Sequence, residues 1–162
     1  MSIGKALLPE FDQEMASTRR VLARVPTEKG TWKPHEKSFA LGHLAQLVAT
    51  MPGWITRTLA EGTIDLASGP GYSFQATESL LEQFDRLVAE ARSALDAVDD
   101  ARLDETFTLT SGEQVLLSQP QGEVIRSTIN HLIHHRGQLT VYLRLLDVPV
   151  PSVYGPTADE RW

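Results

Sequence analysis

The chain has 162 residues, 41% of them hydrophobic and 22% charged, which suits one domain spanning 1–162 that buries roughly 70% of its unfolded surface. A formal charge of −6, with the basic residues scattered, removes the concentrated positive footprint that nucleic acid requires, and no apolar run approaches the ~20 residues of a membrane span. Cysteine is absent, which excludes disulfides, thiolate metal sites and a cysteine nucleophile, and Met1-Ser2-Ile3-Gly4-Lys5 opens no signal-peptide apolar core, so a cytoplasmic protein is expected.

Ala6, Leu7, Phe11, Met15, Val21 and Leu22 follow a helical period and predict a first helix from Ile3 to about Val25, closed by Pro26 and Gly30. Thr27 to Lys37 reads as a loop. Ser38 is the expected N-cap of a second helix reaching about Glu61, kinked where Pro52 removes a hydrogen bond. Gly62 through Gly71 reads as loop, marked by Gly-Pro-Gly at 69–71. Thr77 is the expected N-cap of a third helix running to about Val98, with Leu80, Leu81, Phe84, Leu87, Val88, Ala91 and Leu95 as its apolar stripe. The alternation from Glu105 to Thr110, the Ser111-Gly112 turn and Gln114 to Leu117 predict a small hairpin. Pro120 and Asp147-Val148-Pro149 bracket a last helix of about 27 residues, roughly 40 Å long. The tail from Pro149 to Trp162 lacks periodicity and must lie on the body or hang free. The expected fold is all-α: a four-helix bundle with a small β-hairpin before the last helix.

The last helix carries the most specific chemistry. His131 and His135 lie four residues apart, so their Cβ atoms share one face at roughly 5–6 Å. The expected inward face runs through Val124, Thr128, His131, Leu132, His135, Leu139, Tyr142, Leu143 and Leu146. Two imidazoles so placed are either core histidines with hydrogen-bond partners or two ligands of one metal ion. The spacing is that of the H-E-x-x-H metalloproteases, but Leu132, Ile133 and His134 stand between and the catalytic glutamate is missing, which argues against a protease. His43, expected on the inward side of the second helix, would complete a three-histidine set with open coordination. His134 is rotated about 100° away and is expected at the bundle edge or paired with a carboxylate. His35 reads as a solvated loop histidine. Arg136 reads as a surface arginine paired with a nearby acid, or as a clamp for a substrate carboxylate. Gly137 suggests close helix packing, and Trp32, Trp54 and Tyr72 are candidate core or pocket aromatics.

The segment His131-x-x-x-His135-Arg136-Gly137-Gln138-Leu139, followed by Tyr142-Leu143-Arg144, Val150-Pro151, Tyr154-Gly155-Pro156 and Asp159-Glu160, resembles the DinB family, the DinB/YfiT-like proteins. His43, within Leu41-Gly42-His43-Leu44, sits where that family keeps its first metal histidine. The resemblance covers nearly the whole chain. It implies a bundle in up-down-down-up order, a divalent metal ion (zinc or nickel) held by His43, His131 and His135, and a homodimer. Related proteins include S-transferases that use bacillithiol, mycothiol or glutathione, and a mycothiol-dependent maleylpyruvate isomerase.

The resemblance makes a metal-dependent thiol S-transferase or isomerase acting on a small-molecule substrate the leading expectation. A thiol delivered to such a metal is deprotonated by the cation's charge, supplying the nucleophile that this cysteine-free chain lacks. Metal-assisted hydrolysis is the alternative; no inward carboxylate stands beside the histidines to act as general base, and Glu36 or Glu123 would have to approach in three dimensions. A non-catalytic bundle that binds a metal or small molecule is the third.

Overall fold

The computed structural model describes residues 2–69 and 71–161; Met1, Pro70 of the expected Gly-Pro-Gly turn, and Trp162 lie outside them. The first apolar period folds as α1, Ile3–Leu22, whose buried face includes Leu7, Phe11, Met15, Val21 and Leu22. Ser2 caps it by accepting from the Lys5 N–H, and it ends at Leu22 rather than Val25.

The second predicted helix is two helices, α2 (Leu41–Thr50) and α3 (Pro52–Glu61). Pro52 opens α3 at the position where a missing N–H is least costly. Ser38 does not cap α2. The chain is still extended at Ala40, and the first amides of the helix donate instead to backbone carbonyls, Leu41 to Trp32 at 2.8 Å and Gly42 to Gly30 at 2.9 Å. These bonds satisfy the groups a side-chain cap would have taken.

Gly62, at a φ of 68°, ends α3 in the left-handed region that glycine adopts at least cost. The predicted loop that follows contains a strand, β1 (Thr63–Asp65). It pairs in parallel with β2 (Thr106–Ser111), which pairs antiparallel with β3 (Gln114–Pro120), so the expected hairpin is the larger part of a three-stranded sheet ordered β1-β2-β3. Asp65 links β1 to the β2–β3 turn and to the turn that follows β1, its Oδ1 accepting from Gly112 N at 2.9 Å and Ala67 N at 3.0 Å. Ile64, Phe107 and Val124 form a small apolar cluster beneath it.

Thr77 is the first residue of α4 (Thr77–Ala97), not its cap. Its hydroxyl donates to Val25 O at 2.7 Å and its amide to Thr27 Oγ1 at 3.0 Å, tying α4 to the loop after α1. A short α5 (Asp100–Leu103) leads to the sheet, and α6 (Gln121–Leu145) follows β3 directly. Asp147, at a φ of 57°, turns the chain out of α6, and Val148 N returns a bond to Leu143 O at 3.0 Å.

Among the described residues, 60% are helical, in six α-helices with a small three-stranded sheet. α1 packs on α4 and α6, and α2 and α3 pack on the same two helices, enclosing one core that includes Phe11, Leu44, Met51, Ile55, Phe84, Ile129 and Leu139. No described helix is long and apolar enough to cross a membrane. The tail lies on the body: Arg144 pairs with Asp159 and Arg20 with Glu160, while Val150 N and Ser152 N donate to the same two carboxylates.

Candidate functional site

α6 buries a stripe rotated from the expected one. Val124, Ile125, Thr128, Ile129, Leu132, His135, Arg136, Leu139 and Leu143 are buried, while His131 lies exposed at the stripe's edge and not inward as expected. The rotation follows from Arg136. It is 2% exposed and neither a surface side chain nor a substrate clamp. Its guanidinium meets the Glu14 carboxylate at 2.7 Å, Glu14 O at 3.1 Å, Thr18 Oγ1 at 3.2 Å and Tyr154 OH at 3.2 Å. Tyr154 in turn donates to Glu14 Oε1 at 2.8 Å, so a buried charge is paired on each side and the tail is pinned to α1 and α6.

The Nε2 atoms of His131 and His135 face each other at 2.9 Å. Nδ1 of His135 is 2.8 Å from Oε1 of Gln138, and Nε2 of the same amide is 3.1 Å from Nε2 of His134. A carbonyl oxygen only accepts, so His135 carries its proton on Nδ1, and its Nε2 lone pair faces His131, whose Nε2–H donates to it. Loss of solvent around the His131 ring, then the neighbouring His135 and His134, lower the His131 pKa from the ordinary histidine value. Two metal–nitrogen bonds of 2.0–2.1 Å at a tetrahedral angle would set the ligand atoms about 3.3 Å apart. The pair stands within a few tenths of an ångström of that edge, and the Gln138 contact is the outer-shell acceptor that ligand histidines ordinarily have.

His43 is half-buried and does not join the pair in one cluster. It is stacked on Tyr72 (centroids 4.6 Å apart, planes at 20°) and touches Phe39 at 4.6 Å on another side. Phe39 is also 6.4 Å from the His135 ring, so it borders both imidazoles. Among the described residues, no three side chains of His, Cys, Asp or Glu are gathered closely enough to hold a metal ion. The donor chemistry therefore fits a metal at two positions, and the third is adjacent but not assembled.

The loop over His43 approaches closely because Gly42 lacks a side chain: a Cβ there would come within 2.8 Å of the Tyr72 hydroxyl. His134 is exposed with Gln138 as its partner, not a carboxylate. His35 is exposed and accepts from Lys37 N at 3.1 Å, shaping the turn before α2. Trp54 stands edge-on to His131 at 5.9 Å, and Trp32 to Tyr142 at 5.7 Å.

Beside the pair opens a cavity of about 370 Å³ lined by Lys37, Ser38, Phe39, His135, Gln138, Val141 and Tyr142. No carboxylate lines it. Glu36 and Glu123 are exposed and outside this lining. Sequence reasoning passed over Gln138, Phe39 and Lys37 as functional residues. The i,i+3 and i,i+4 spacings of Gln138 from His135 and His134 were a signal available for the first; nothing local marked the other two.

A helical fold with paired imidazoles, one of them (His135) lining a cavity, is the class that structure alone defines. Two solved DinB-like proteins share the fold: one from Bacillus subtilis (YjoA), with a TM-score of 0.70 and 17% identity over 96% of this chain and 99% of that one, and one from Bacillus cereus ATCC 10987, with 0.71 and 20% over 94% and 98%. The DinB family profile matches residues 1–161, so the chain belongs to the DinB family, which is generally metal-associated. It is also 46% identical over 43 residues to the uncharacterized protein YrdA of Bacillus subtilis (strain 168), a match covering 26% of this chain and 25% of that protein.

Proposed function

We propose that this protein is a divalent-metal-dependent enzyme in which His131, His135 and His43 hold zinc or nickel, working as a thiol-dependent S-transferase or isomerase. The observation that carries this reading is the facing pair of Nε2 atoms at 2.9 Å, with the His135 lone pair aimed at the gap by the Gln138 contact. A bound divalent ion would supply Lewis acidity there, lowering the pKa of a coordinated thiol or water. His131 and His135 would hold it from one helix face, Gln138 would orient His135, and Phe39, Val141 and Tyr142 would keep water from one side of the reacting groups. A transfer forms a carbon–sulfur bond from the thiol sulfur, expels the leaving group with the old bonding pair, and gives the thiol proton to solvent. The thiol route is favoured over hydrolysis because no carboxylate lines the cavity to serve as general base.

The same proposal extends to the assembly. α1, the α2–α3 pair, α4 and α6 would be the four rods of a bundle in up-down-down-up order, and the protein would form a homodimer. Sedimentation at several concentrations tests the latter.

The deciding experiment is metal content by mass spectrometry on tag-free protein beside His43→Ala, His131→Ala and His135→Ala, followed by glutathione conjugation to an aryl halide. Near-stoichiometric zinc or nickel, lost in all three variants, with thiol consumption by the loaded wild type, is the expected result. Wild-type protein that takes up no metal on reloading would return the histidines to a structural role. Metal binding with no thiol binding or consumption would leave a non-catalytic metal-binding protein.

A further inference from the structure

The cavity beside His135 has one basic side chain of the lysine or arginine type in its wall, Lys37. Most of the polar groups around it are already engaged. Gln138 spends its amide on His135 and His134, and the Tyr142 hydroxyl donates to Phe39 O at 3.3 Å. No carboxylate stands within ion-pair distance of Lys37 among the described residues, and the Ser38 hydroxyl has no hydrogen-bond partner there. The backbone that carries them is fixed: Lys37 N donates to His35 Nδ1 at 3.1 Å and Ser38 N to His35 O at 3.0 Å. The same lining carries the apolar side chains of Phe39 and Val141, exposed at 44% and 57%. At about 370 Å³ the cavity is within the range of small-molecule sites, roughly 300–1,000 Å³.

We propose that this cavity takes a small carboxylic acid with an apolar body, its carboxylate meeting Lys37 and Ser38 and its apolar part lying on Phe39 and Val141. The inference rests on the reading that the cavity beside His135 is the substrate site, and it names that substrate's class. The carboxylate clamp is thus Lys37 on the loop before α2, while Arg136 is spent on Glu14. An unpaired ammonium in the same wall as a hydroxyl can donate to a carboxylate and has nothing to offer a neutral amide beyond ordinary polarity. The apolar wall adds affinity without distinguishing the two.

The test compares 3-phenylpropionate with 3-phenylpropanamide by NMR titration of wild type, Lys37→Gln and Lys37→Arg, each with and without loaded zinc. The acid should bind more tightly than the amide. Lys37→Gln should weaken the acid about fivefold, the effect of losing a partly solvated ion pair, leave the amide unchanged, and be rescued by Lys37→Arg. Equal binding of acid and amide, an acid affinity indifferent to Lys37→Gln, or no saturable binding to wild type overturns the proposal. Lys37-dependent binding that persists in metal-free protein supports it even if the metal reading fails. Acid that binds only zinc-loaded protein, whatever stands at position 37, is captured by the metal, which sinks this proposal and leaves the metal reading intact.

Discussion

His135 donates from Nδ1 to Oε1 of Gln138 at 2.8 Å, one turn further along α6, while the nitrogen of that amide reaches His134 at 3.1 Å. One side chain therefore fixes the proton of one imidazole by holding on to another. Gln138→Leu removes the acceptor and frees the His135 ring to turn or change tautomer. Zinc affinity, measured by competition with a chelating dye, should fall about 10- to 100-fold. Gln138→Glu keeps an acceptor and should bind nearer to wild type. A leucine variant with wild-type affinity would show that His135 needs no orienting partner.

Arg136 and Glu14 are a buried pair on α6 and α1, and breaking it leaves one charge without a partner. Arg136→Met should cost about 3–5 kcal/mol in urea unfolding. The double variant with Glu14→Gln should recover a large part of that loss, because no buried charge is then left unpaired. Single and double variants of equal stability would show that the cost is packing alone.

Acid should release the tail before the helices. The Arg144 contact, then the Val150 N–H, hold the Asp159 carboxyl below its ordinary range; the Ser152 N–H and then Arg20 do the same for Glu160. Groups whose pKa is lower in the folded than in the unfolded chain stabilise fully above the unfolded value, and that contribution is lost as pH falls through the folded one. Unfolded carboxyls titrate near pH ~4. Protection of the amides in residues 149–161, measured against the intrinsic exchange rate at the same pH, should therefore fall as pH drops below that value while α4 and α6 stay protected. Asp159→Asn should raise exchange in the same segment already at neutral pH.

Gly137 makes none of the close packing its place in a helix suggested: a Cβ there would meet nothing within 4 Å. Gly137→Ala should stabilise the protein by about 1 kcal/mol, seen as a raised urea midpoint with an unchanged slope. A destabilised variant would show that the site needs the extra freedom of glycine.

Two misreadings of α6 are one error. Its apolar period placed His131 inward and Arg136 outward; the structure turns the helix so that Arg136 is buried and His131 stands at the edge. No hydropathy pattern would bury an arginine, because the burial depends on Glu14, far away in the chain. The α2 cap was missed for a similar reason: carbonyls of Trp32 and Gly30 replaced the Ser38 hydroxyl, and loop carbonyls leave no mark in the residue types. β1 was missed because a three-residue strand carries too little alternation, and β2 alone gives it a partner.

The sequence by itself determined what depends on neighbours within a few turns. Helix periods set α1, α4 and α6, alternation about Ser111-Gly112 set the hairpin, and i,i+4 spacing set the His131–His135 pair. Only the tertiary structure decided which side of α6 is buried, that His43 stacks on Tyr72 beside the pair, and that Lys37 is the cation on the cavity wall. A helical period says which residues share a face. Which face is buried, and which charges are left free, depends on partners that only folding brings near.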